Sequence, residues 1–72
     1  MTGHKADRIR EILHTRRGKL RTIHGRSSLA SMIGHELNIP CFILGEWLDQ
    51  FDGIDPYNDE EFQFVIDLIF YL

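Results

Sequence analysis

The sequence predicts an all-α fold, a compact four-helix domain, on three observations. Apolar residues recur at helical spacing near both ends, as Ile9, Ile12 and Leu13 and again as Phe62, Val65, Ile66, Ile69 and Phe70. Helix-breaking signals divide the chain at Gly18, Gly25, Asn38 to Pro40 and Asp52 to Pro56. The length, 72 residues, allows a single domain spanning 1–72. With 43% apolar and 26% charged residues the composition is that of a folded chain.

The first helix is expected from Lys5 to Arg17. Asp7 near its start and Arg16 and Arg17 near its end suit the helix dipole. Gly18 either ends it or lets it run on, since Leu20 and Ile23 extend the same apolar face and a helical glycine costs only ~1 kcal/mol. A second helix fits Ser28 to Leu37, capped by Ser27 or Ser28 and closed by Asn38, which tolerates a left-handed backbone. Pro40 suits the first turn of a third helix reaching about Phe51. The fourth is expected from Tyr57 to Leu72, with Asn58 and Glu61 spaced as a capping box and Asp59 and Glu60 favouring the same end.

Charge is sorted along the chain. Residues 1–26 hold all eight Lys and Arg against two acids, a net of +6, while residues 27–72 hold nine acids and no Lys or Arg. Such asymmetry points either to a polyanionic partner at one end or to halves that attract each other within the fold. If the first helix continues through Gly18, Arg10, His14, Arg17 and Arg21 share one edge, with Arg8 and Lys19 on the other. With Arg26, these basic residues are the candidate phosphate contacts of a nucleic-acid-binding surface, which would position a duplex without reading it.

The fourth helix is too apolar for one face. Phe64, Leu68, Tyr71 and Leu72 form a second stripe, which a chain this short can hardly bury. An apolar patch left outside marks a protein interface, expected here to be a homodimer or a partner surface. Phe42, Glu46 and Asp49 on the third helix, with Phe64, Leu68 and Tyr71 on the fourth, are the candidate partner-binding residues.

The segment from Met32 to Leu48 resembles the helix-turn-helix of phage repressors. Gly34 stands where two helices cross closely, between apolar Ile33 and Leu37; Asn38 occupies the turn, and Ile39, Leu44 and Trp47 are anchors. The resemblance covers about twenty residues, a span typical of such a motif. It implies a helix-turn-helix-like core and a small DNA-binding, transcription-regulatory protein. Its groove-facing positions would be Pro40, Cys41, Phe42, Gly45, Glu46 and Asp49, none of them Arg, Lys, Asn or Gln. Sequence reading would therefore be weak. The alternative is a non-enzymatic protein-binding module of inhibitor, adaptor or antitoxin type, using the acidic and apolar C-terminal part.

No catalytic constellation, metal site or cofactor is expected. His4, His14, His24 and His35 lie too far apart for close ligand pairs, and Cys41 is alone. The acids from Asp49 to Glu61 do not fit a calcium loop, since Leu48 and Gln50 would fall at ligand positions. A lone cysteine, a polar N-terminus and a longest apolar run of eleven residues favour a cytoplasmic protein without a membrane span.

Overall fold

In the computed structural model, which describes residues 3–71, four α-helices surround one core. They are α1 (Gly3–Thr15), α2 (Ile23–Leu37), α3 (Cys41–Leu48) and α4 (Asp59–Ile69). Two 3-10 turns, Arg17–Arg21 and Asp49–Phe51, lie between α1 and α2 and after α3. No strand occurs among the described residues, so the all-α four-helix expectation holds.

The helix α1 does not run on through Gly18. The Thr15 hydroxyl donates back to the carbonyls of Glu11 and Ile12, and Arg16 leaves helical geometry at φ −128°, ψ 28°. Leu20 still reaches the core, from a 3-10 turn rather than from an extended helix.

The α2 helix begins at Ile23, five residues before the expected Ser28. Thr22 is extended and its hydroxyl accepts the Gly25 amide at 2.9 Å, which makes Thr22 the cap. Gly25 is therefore not a break. It sits in the first turn, where an added Cβ would come within 2.1 Å of the Lys19 carbonyl oxygen. Only a residue without a side chain lets α2 start this close to the preceding turn.

Asn38 ends α2 at φ 61°, ψ 39°, as the sequence predicts, and both its amide and that of Ile39 donate to the Gly34 carbonyl. Gly34 faces the same turn: a Cβ there would meet the Ile39 carbonyl oxygen at 2.7 Å. Pro40 caps α3 instead of lying in its first turn. Asn58 caps α4, its side chain accepting from the amides of Glu60 and Glu61. Tyr57 precedes that helix, Tyr71 follows it, and the expected end at Leu72 lies outside the described residues.

Ile9, Ile12 and Leu13 of α1, Leu29, Ala30 and Ile33 of α2, Leu44 and Leu48 of α3, and Phe62, Val65, Ile66 and Ile69 of α4 form the core with Leu20 and Phe51. The helix α2 is central, packing against α1, the 3-10 turn before it and α3. No described helix is long and apolar enough to cross a membrane.

Candidate interaction surface

The basic stripe predicted for a continuous first helix is interrupted rather than absent: Arg17 still meets the His14 ring at 3.0 Å, but from the 3-10 turn and not from α1. Because α1 stops at Thr15, Arg10 and His14 lie on a helix while Arg17 and Arg21 lie on a separate turn. Four of the six candidate phosphate contacts are engaged within the chain. Arg8 meets Glu36 of α2 at 2.7 Å, and that hydrogen bond, then the Glu36 charge, raises its pKa above the ordinary arginine value. Arg10 lies 4.6 Å from the centre of the Phe70 ring and 3.7 Å from Asp7. Arg17 stacks 4.1 Å over Phe62 and approaches Asp59 at 3.9 Å.

Arg26 is the plainest correction. It is 3% exposed, and its guanidinium donates to Asp49 at 2.9 Å and to the Leu20 carbonyl at 2.9 Å, with Asp52 at 3.4 Å. This arginine ties three segments together and is not available to a phosphate. Of the six, Lys19 and Arg21 alone face solvent without an acidic partner among the described residues. Lys5 and Arg16 share that condition.

The acidic half divides the same way. Asp49, expected at a partner surface, is held by Arg26, although its side chain remains half exposed. Asp55 accepts the Tyr57 amide as a turn residue, and Asp59, Glu60 and Glu61 lie in the first turn of α4, where the helix dipole favours them. No group of three potential metal ligands occurs among the described residues.

What remains outward on α3 and α4 is apolar and acidic together. Phe42 is 68% exposed, Phe64 56% and Tyr71 86%. Leu68, one turn beyond Phe64, is half-buried and packs on the core edge. Two residues the sequence reading did not assign here join them. Ile43 is exposed, and Trp47, one turn later on α3, is half-buried rather than an enclosed anchor. Trp47 meets Phe51 edge to face at 5.3 Å between centroids, and Phe51 meets Phe64 at 6.3 Å. An unbroken aromatic series thus runs from α3 to α4. The i, i+4 spacing of Ile43 and Trp47 was visible in the sequence, but placing both beside Phe64 depends on the turn after α3.

Acids lie on the same two helices. Glu46 follows Phe42 by one turn, and Glu60 and Asp67 bracket Phe64 on α4. Asp67 borders two shallow depressions, one shared with Glu60, Gln63 and Phe64 and the other with Phe70 and Tyr71. Gln63 donates to Asp67 at 2.9 Å and steadies it. Glu46, Glu60 and Asp67 have no cationic partner among the described residues. No family model, curated protein or solved structure matches the chain.

Proposed function

We propose that this chain is a non-enzymatic protein-binding module whose docking surface is the outward face of α3 and α4. One observation carries the reading: four of the six large apolar residues that stay exposed, Phe42, Ile43, Phe64 and Tyr71, lie on α3 or on α4 and its end, the others being Ile23 and Tyr57, and Trp47 and Phe51 link α3 to Phe64 of α4. Aromatic anchors with a polar rim are the usual centre of a binding surface. Half-exposed phenylalanines gain roughly 1–2 kcal/mol each when covered, so a few together begin to offset the cost of association.

A second reading, a small DNA-binding regulator, is favoured by the left-handed turn at Asn38 between α2 and α3 and by the unpaired Lys19 and Arg21. It carries less, because the outward side of α3 presents Phe42, Ile43 and Glu46 and most candidate arginines are engaged elsewhere. A homodimer through the α3–α4 face would set Glu46, Glu60 and Asp67 against their own copies, which like-charge repulsion opposes.

One experiment separates the readings. A protein captured by the chain is purified, and the complex is re-formed from the two pure components with three forms of the chain. Wild type and the Lys19→Glu/Arg21→Glu double variant are expected to form it, and Phe64→Asp is not. A complex that survives Phe64→Asp, or one carried by nucleic acid and lost only in the double variant, overturns the proposal.

A further inference from the structure

The composition of the docking face says what kind of partner it fits. Resting on the reading above, we infer that the α3–α4 face takes a cationic amphipathic helix, with apolar residues set on Trp47 and Phe64 and Lys or Arg set against Glu46, Glu60 and Asp67. Ile43 and Trp47 are one turn apart on α3, Phe64 and Leu68 one turn apart on α4, and the ring of Phe51 connects them. A helix presenting residues at i, i+3, i+4 and i+7 carries apolar side chains at the one-turn spacing of these two pairs.

The charge pattern selects the sign. Within residues 27–72 there is no Lys or Arg, so every formal charge carried by α3 and α4 themselves is negative. The cations nearest in the fold are already committed: Arg26 to Asp49 and Asp52, Arg17 to Asp59 and Phe62, Arg10 to Phe70. Glu46, Glu60 and Asp67 are left for an external cation. The same charges repel a nucleic-acid backbone and an anionic membrane surface, which leaves a basic polypeptide as the occupant. A second copy docked face to face is disfavoured, because it would bring two sets of the same three acids together.

The test uses two synthetic fluorescein-labelled peptides of about 18 residues, enough for five helical turns. Both carry Leu at i, i+3, i+4 and i+7; one has Lys at the remaining positions and the other Glu. Fluorescence anisotropy with the full chain is expected to show the Lys peptide binding at least about tenfold tighter than the Glu peptide, with the gap closing as salt rises. Glu60→Lys/Asp67→Lys changes exposed residues only and is expected to remove most of that gap with the helical circular dichroism unchanged. Phe64→Ala is expected to weaken binding of the Lys peptide without reversing the preference. Equal binding of the two peptides, or a preference untouched by Glu60→Lys/Asp67→Lys, overturns the inference. If the Glu peptide binds equally and Phe64→Ala weakens both, the docking face stands and only the cationic partner falls. Self-association of the chain that Phe64→Ala abolishes replaces the basic helix with a second copy and also overturns it.

Discussion

Arg26 shows how one side chain can change the meaning of a charge pattern. In the sequence it is the last of eight cations in a basic third; in the fold it is the pin between α2, the Leu20 carbonyl and the two aspartates that follow α3. Its buried guanidinium is paired with both aspartates, but Asp49 and Asp52 remain exposed enough to be solvated without it. Arg26→Ala is therefore expected to lose the packing and the carbonyl bond rather than to strand a buried charge. A loss of about 2 kcal/mol follows, short of what breaking a fully buried pair costs. Chemical denaturation checks this; an unchanged midpoint would mean that Arg26 does not hold these segments. Nothing in the sequence marks it out from Arg21, because burial here depends on where Asp49 arrives, 23 positions away.

At the scale of the element, the helices themselves were legible and their joints were not. The periodicity of Phe62, Val65, Ile66 and Ile69, the cap at Asn58 and the left-handed Asn38 all appear where local pattern puts them. The start of α2 does not, because Gly25 reads as a break when only propensity is weighed. Its role comes from the close approach of the Lys19 carbonyl, a tertiary fact. Gly25 of α2 and Gly45 of α3 make opposite predictions. Gly25→Ala forces backbone apart and is expected to cost about 2–3 kcal/mol. Gly45→Ala meets only the Ala30 Cβ at 3.7 Å, an ordinary contact, and is expected to be neutral or to stabilise by up to ~1 kcal/mol through helix propensity. Thermal unfolding followed by circular dichroism measures both; a tolerated Gly25→Ala would contradict the close packing of α2 on the preceding turn.

For the whole molecule, the charge split is met only in part within the fold, by three of the eight cations. The basic α1 and the turn after it meet the acidic half through Arg8 with Glu36, Arg17 with Asp59 and Arg26 with Asp49 and Asp52. Both explanations of the asymmetry were open in the sequence, because sequence gives the charges but not their distances. The same folding leaves an uncompensated acidic and aromatic face on α3 and α4. The exposure of Phe42, Glu46, Phe64 and Tyr71 was legible from helical spacing alone, whereas the grouping of Trp47 with Phe64 was not, since it depends on Phe51, in the turn after α3, meeting both rings.

Trp47 offers the most direct test of that face, being the single tryptophan of the chain and half-buried within the aromatic series. Its emission should be followed during titration with the Lys-bearing amphipathic peptide and, separately, with a random-sequence DNA duplex, neither of which contributes tryptophan fluorescence. A saturable blue shift is expected with the peptide, as Trp47 loses contact with water, and no shift with the duplex. A saturable change with the duplex and none with the peptide would contradict that expectation and return the function to nucleic acid.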